Sequence, residues 1–287
     1  MSEAEIRSFH DEATGTLSYV VSDPASGNAA IIDPVLGYTM SSGRTDTAPS
    51  DALIACVRDE RLTLEWILET HAHADHLSGA QHVKARLGGA IAIGAGIRSV
   101  QAYFGKVFNL GAACAAEGND FDRLFDDGDN FRIGGLECEV LATPGHTADS
   151  ISYRIGSAVF VGDTLFMPDF GTARCDFPGG DAARLFDSIH RLLSLPADTR
   201  LYMCHDYRPG GRELRWECTV AEQRADNIHV HDGVEKADFV KMRTDRDATL
   251  SLPALIVPSI QVNIRAGRLP DAENNGTRYI KTPIDTL

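Results

Sequence analysis

The chain has 287 residues, 43 % of them hydrophobic, with 27 basic and 41 acidic side chains and a formal net charge of −14. That length and apolar content allow a sizeable core. A negative field of this size repels phosphate backbones and anionic lipid heads, which excludes nucleic acid and membrane surfaces as expected partners.

From the N-terminus, Met1 to Arg7 lacks the basic and apolar regions of a leader. Six scattered cysteines show no Cys-x-x-Cys pairing and read as reduced thiols, so the expected location is the cytoplasm. Thr16 to Ser22 and Asn28 to Pro34 are apolar, β-branched runs separated by a Pro-Ala-Ser-Gly turn, a hairpin signature. Tyr38 to Ser50 reads as a loop. Ser50 reads as the cap of a helix whose apolar face is Leu53, Ile54 and Val57. A short strand at Glu65 to Glu69 leads into a cluster of histidines, and a helix over Leu77 to Leu87 stops at Gly88-Gly89.

Ala90 to Ile93 reads as a strand and Gly111 to Gly128 as an acidic surface excursion. Three strands are expected at Phe131 to Ala142, Ser150 to Ile155 and Ala158 to Gly162. A helix follows at Ala182 to Leu195, then a strand at Arg200 to Cys204 and helix over most of Arg212 to Asn227. This order fits two mixed sheets flanked by helices, an α/β class, within one domain over residues 1–287. An extension begins at about residue 227. In it, prolines at 253 and 258 are expected to prevent a regular helix, and the segment to pack on the domain without a part in catalysis.

The chemistry concentrates in His71-Ala72-His73-Ala74-Asp75-His76, four imidazole or carboxylate groups in six residues at the end of an apolar strand. These donors suit zinc, iron and manganese. Three more apolar strands end in a donor: Pro144-Gly145-His146, Gly162-Asp163 and Cys204-His205. Sites in α/β proteins collect at strand ends in this way.

The order His-x-His-x-Asp-His, distant His, Gly-Asp, final His resembles the metallo-β-lactamase superfamily, over roughly Thr16 to His205. The resemblance implies an αβ/βα sandwich with metals in a cleft at one edge. It assigns His71, His73 and His146 to one metal and Asp75, His76 and His205 to another, with Asp163 bridging. Gly171 to Phe177, Asp206-Tyr207 and the stretch Gln261 to Pro270 are similar to the persulfide dioxygenases, especially their β-lactamase-hydrolase-like branch. That likeness implies a mononuclear Fe(II) enzyme, one iron per chain, with His71, His146 and Asp163 as ligands and catalytic centre. His73, Asp75, His76 and His205 would then orient ligands or contact water. The substrates implied are O2 and glutathione persulfide or a similar low-molecular-weight thiol persulfide, with sulfite and glutathione as products.

Arg174, Tyr207 and Arg212 are the expected substrate-binding residues, because an acidic protein needs local cations to receive an anionic thiol. Pairing of Arg174 with Asp176 or Asp169 to brace the loop is the alternative for that residue. The alternative function is a glyoxalase II-like binuclear thioester hydrolase with two Zn(II) per chain. A homodimer is left open.

Overall fold

The computed structural model describes residues 3–287, except the side chain of Ala112. Two six-stranded sheets face each other. The first contains β1 (Glu5–Asp11), β2 (Thr16–Ser22), β3 (Asn28–Ile32), β6 (Thr63–Leu68), β8 (Ala90–Gly94) and β9 (Arg123–Phe125), in that order across the sheet. The second contains β10 (Asn130–Ile133), β11 (Leu136–Ala142), β12 (Ile151–Ile155), β13 (Ala158–Phe160), β14 (Arg200–Tyr202) and β15 (Glu217–Thr219). A small third sheet joins β4 (Val35–Thr39), β5 (Arg44–Asp46) and β7 (Leu77–Ser78).

Strand alternation decides which residues meet between the sheets. On β2, Leu17, Tyr19 and Val21 face inward to a core shared with Val140, Tyr153, Phe160 and Tyr202, while Val20 faces the helices outside. On β13, Phe160 points in, and Val159 joins an outer cluster. α1 (Ala48–Asp59), α2 (Ala80–Leu87) and α3 (Ile97–Val107) cover the first sheet. α4 (Ala182–Leu193) and α6 (Lys236–Asp247) cover the second, with the short α5 (Val220–Asp226) beside them. α7 (Ile256–Asn263) returns to the first layer and packs on β7 and α3. The arrangement is an αβ/βα sandwich.

Several sequence expectations are corrected. The loop expected at Tyr38 to Ser50 is largely the β4–β5 hairpin. Ser50 is not a cap: it lies buried inside α1, and its hydroxyl donates to the Val35 carbonyl (2.6 Å). Phe131 to Ala142 is two strands reversed at Gly134-Gly135, where Gly134 has φ 56°. Most of Arg212 to Asn227 is not helix, since only Val220–Asp226 is helical. The acidic excursion before Gly128 contributes a paired strand, β9, anchored by buried Phe125. Pro258 does not block a helix either. It sits in the first turn of α7, where a backbone N–H has no carbonyl to meet within the helix. No helix among the described residues is long and apolar enough to cross a membrane.

Candidate metal centre

Four strands deliver the donors to one edge of the sandwich. β3 and β6 run parallel with Ile32 opposite Leu68, so the residues after them, Asp33 and Thr70, emerge together. β13 and β14 run parallel with Phe160 opposite Tyr202, which places Asp163 beside His205. The Leu17 N–H donates to the Cys204 carbonyl (2.6 Å), and Thr16 pairs with His205, closing one sheet onto the other at this edge.

His71, His146 and Asp163 form one compact group, with Asp163 Oδ2 3.8 Å from His71 Nε2 and 3.6 Å from His146 Nε2. His73, Asp75 and His76 form an adjoining group. His205 Nε2 lies between the two, 3.2 Å from Asp75 Oδ2 and 3.4 Å from Asp163 Oδ1. All seven residues foreseen from the sequence therefore converge. His71, His73, His76, His146, Asp163 and His205 are buried.

Three of the five imidazoles, those of His71, His76 and His146, are oriented by the hydrogen bonds of their far nitrogens. His146 Nδ1 lies 2.6 Å from the Arg174 carbonyl, which can only accept, so Nδ1 carries the proton and Nε2 presents a lone pair. His76 Nδ1 is held the same way by the Leu77 carbonyl (3.3 Å). Thr70 uses its one hydroxyl proton on Asp33 Oδ2 (2.9 Å) and so accepts from His71 Nδ1 (3.1 Å). Three lone pairs are thus aimed at the cleft.

His71 Nε2, His76 Nε2, Asp75 Oδ2, Asp163 Oδ1 and both ring nitrogens of His73 and His205 are buried without hydrogen-bond partners among the described residues. His73 Nε2 is 3.1 Å from Asp33 Oδ1, close enough for attraction but out of line for a hydrogen bond. Leaving such atoms unpaired costs roughly 1–3 kcal/mol each. A divalent cation would take one nitrogen from each imidazole it binds together with carboxylate oxygens, and the His and carboxylate set fits one. Burial holds His71 and His73 well below the usual imidazole range, with the neighbouring imidazoles adding to it, so both are neutral donors. Burial also pushes Asp163 up to about 8, a penalty that a bound cation would reverse.

The cleft continues into a cavity of about 230 Å³ lined by Asp75, His146 and Asp163 at one end. Phe166, Phe170, Phe177 and Tyr207 form its walls. Tyr207 stacks on His205 with ring centroids 5.5 Å apart and planes at 8°.

A model of the metallo-beta-lactamase superfamily matches residues 12–205. The chain belongs to this superfamily. Among its superfamily relatives is a probable metallo-hydrolase of Burkholderia pseudomallei, 53 % identical over 98 % of this chain and 99 % of that one. Glyoxylase B2 of Dictyostelium discoideum is 49 % identical over 100 % of this chain and 99 % of its own length. The human mitochondrial persulfide dioxygenase ETHE1 is 29 % identical over 91 % of this chain and 88 % of its own. The crystal structure of ETHE1 from Myxococcus xanthus superposes with a TM-score of 0.73 at 31 % identity, over 92 % of this chain and 100 % of that one.

Of the three residues expected to bind substrate, Arg174 and Tyr207 line the cavity, and Arg212 is not among its lining residues. Arg174 makes a two-pronged pair with Asp176 (2.7 Å each) and donates to the Ser251 carbonyl (2.7 Å), the bracing role weighed for it. Arg212 is held by Asp169 and by both oxygens of Asp206 (2.7 Å each). It ties the loop after His205 to the loop after Asp163.

Sequence reasoning missed Asp33 and Asn263. Asp33 ends the apolar run of β3, the same pattern that marked Asp163, and that signal was readable. It accepts from the Thr70 N–H (2.7 Å) and hydroxyl and so fixes the start of the histidine loop. Asn263 lies in the Gln261 to Pro270 stretch that carries the family resemblance, but its residue type alone gives it no role. Its amide donates to the His73 carbonyl (2.8 Å) and the His76 carbonyl (2.7 Å), and its oxygen accepts from the Ser78 N–H (2.7 Å). The C-terminal extension, expected only to pack, therefore clamps the loop that carries four donors. Asn263→Leu leaves two buried carbonyls and one N–H unpaired. A fall of ~10–100-fold in metal affinity is expected, the usual range for groups that hold ligands in place. Titration of the chelated protein with metal measures it, and an unchanged binding curve would show that the clamp is dispensable.

Proposed function

We propose that the chain is a persulfide dioxygenase in which one Fe(II) is held by His71, His146 and Asp163. The reaction is glutathione persulfide plus O2 and water giving glutathione, sulfite and two protons. The observation that carries this reading is the two-histidine, one-carboxylate group, of which His146 and Asp163 open onto an aromatic-walled cavity. The likeness to ETHE1 supports it. When bound, iron would supply coordination positions, beyond its three protein ligands, at which O2 and a persulfide sulfur meet.

The chain's own groups prepare that meeting. The Arg174 carbonyl and Thr70 hydroxyl set the tautomers of His146 and His71. Phe166, Phe170 and Phe177 keep bulk water from the reacting sulfur. Tyr207 keeps its phenol proton, because desolvation of its hydroxyl by the cavity wall and then the charges of Asp163 and Asp75 disfavour ionisation, although the residue as a whole is partly exposed, so it serves as a donor there. Arg174 shapes the wall, and Arg212 supports it from behind.

A second reading is a binuclear thioester hydrolase with two Zn(II). The adjoining His73, Asp75 and His76 group, with His205 reaching both Asp75 and Asp163, favours it, as does the likeness to glyoxylase B2. Elemental analysis after anaerobic purification, beside O2 uptake with glutathione persulfide, separates the two. The dioxygenase reading expects about one iron per chain and O2 consumption. Two zinc ions per chain, thioester hydrolysis and no O2 uptake would replace it with the hydrolase.

A further inference from the structure

The cavity grades from enclosed to open. Asp163 and His146 at one end are 6 % and 4 % exposed, while Tyr207 and Leu250 are 45 % and 40 % exposed. Three guanidiniums line it: Arg174, Arg243 and Arg246. The first two are engaged. Arg174 grips Asp176 through two hydrogen bonds. Arg243, 1 % exposed, bonds Asp247 Oδ1 (2.9 and 2.5 Å) and the Thr172 carbonyl (3.1 Å). Recruiting either would leave a carboxylate unpaired, and in the case of Asp247 a buried one that also accepts from the Cys175 N–H (2.8 Å).

Arg246 is different. It is exposed, and among the described residues its guanidinium has no hydrogen bond or ion pair. The carboxylates on either side of it along α6 are committed, Asp245 to Lys241 and Asp247 to Arg243. A chain of net charge −14 thus presents one unengaged guanidinium at the open end of the cavity over its metal centre.

We propose that Arg246 is the receptor for the anionic end of the substrate, a thiol conjugate bearing a free carboxylate. Its sulfur lies toward Asp163, its middle against the phenylalanines and its carboxylate at the rim. This rests on the thiol-substrate reading above and holds for either reaction considered there. Arginine suits the role because its planar fork takes both oxygens of a carboxylate, which lysine cannot match. The site lies on α6, in the C-terminal extension.

The test uses the metal-loaded protein and calorimetric binding of two probes, glutathione and its dimethyl ester. For Arg246→Gln, affinity for glutathione is expected to fall about tenfold, affinity for the ester to stay the same, and metal content to match wild type. Arg246→Lys should recover part of the loss. Added salt should weaken glutathione binding in wild type more than in Arg246→Gln. The assignment is overturned if Arg246→Gln binds glutathione as tightly as wild type, if both probes weaken equally, or if wild type binds neither. Failure of the dioxygenase reading is visible separately: a protein that consumes no O2 but shows this binding pattern loses that reaction and keeps Arg246 as the anion receptor.

Discussion

Asp163→Asn is expected to abolish metal retention, while leaving the metal-free protein at least as stable as metal-free wild type. The carboxylate lies 3.6 Å from His146 Nε2, 3.8 Å from His71 Nε2 and 3.4 Å from His205 Nε2, so any cation held by these imidazoles uses it. Its loss should weaken metal binding by about 1000-fold or more, roughly 4 kcal/mol. Without metal the balance reverses. Burial raises Asp163 from 3.8 to about 8, with Asp75 and Asp33 adding to the rise and His146 opposing it. A carboxyl raised in the folded state contributes stability that is full below the unfolded value of 3.8 and lost as pH rises through about 8. The amide cannot ionise and escapes that loss. Asp33, raised by burial to about 6, is present in both proteins, but it repels Asp163 and titrates with it, so the difference reports position 163 together with its coupling to Asp33. Urea unfolding of the chelated proteins should therefore show wild type losing more stability than Asp163→Asn between pH 5 and pH 8. Wild-type metal content in the variant would contradict the ligand assignment. A chelated variant weaker than chelated wild type at pH 8 would contradict the electrostatic account.

Gly145→Ala is expected to cost about 3 kcal/mol or more of stability and to empty the His146 side of the site. Gly145 has φ 145°, a region that side chains rarely adopt. A Cβ there would collide with the backbone N and Cα of Leu185, in the first turns of α4. The two segments cannot simply part. The Gly145 carbonyl accepts from the Asp181 N–H (2.8 Å), Asp181 caps α4 through the Arg184 N–H (2.8 Å), and Leu185 is fully buried. His146 follows directly and must keep its 2.6 Å contact with the Arg174 carbonyl. Gly156→Ala is the control. Its φ of 62° is also left-handed, but a Cβ would meet nothing within 4 Å, so a loss of only ~1 kcal/mol is expected. Thermal unfolding and metal content of both variants test the comparison. Equal losses in the two would show that backbone strain, not collision with α4, dominates.

What was legible in the sequence was short-range. The strands around Thr16 to Ile32, the helix face of Leu53, Ile54 and Val57, and the donors at strand ends follow from alternation and turn residues within a few positions. Misread elements had a tertiary cause. Ser50 has a capping residue's chemistry but gives its proton to Val35 on a neighbouring strand. Val35 and Leu36 also pair with Ser78 and Leu77 of β7, a partner some forty residues away that the Gly- and Ser-rich stretch does not announce. Arg212 had the right charge and the right neighbourhood for a substrate anion. Only the fold shows that Asp169, 43 residues away, already holds it. Asn263 lies 187 residues from His76, so although its stretch Gln261 to Pro270 stood out by resemblance, the contact with the histidine loop is visible only in the fold.

That separation of 187 residues also sets an order of events during synthesis. At ~5–20 residues per second, the histidine loop is joined to the chain roughly 10–40 s before the asparagine that clamps it. Throughout that interval β7 lacks the α7 surface it packs on, and the loop carbonyls of His73 and His76 lack the Asn263 amide. The four donors His71, His73, Asp75 and His76 are thus all joined to the chain well before the helix that fixes the carbonyls between them. The final shape of that loop is therefore a property of the whole chain, reached only when α7 docks.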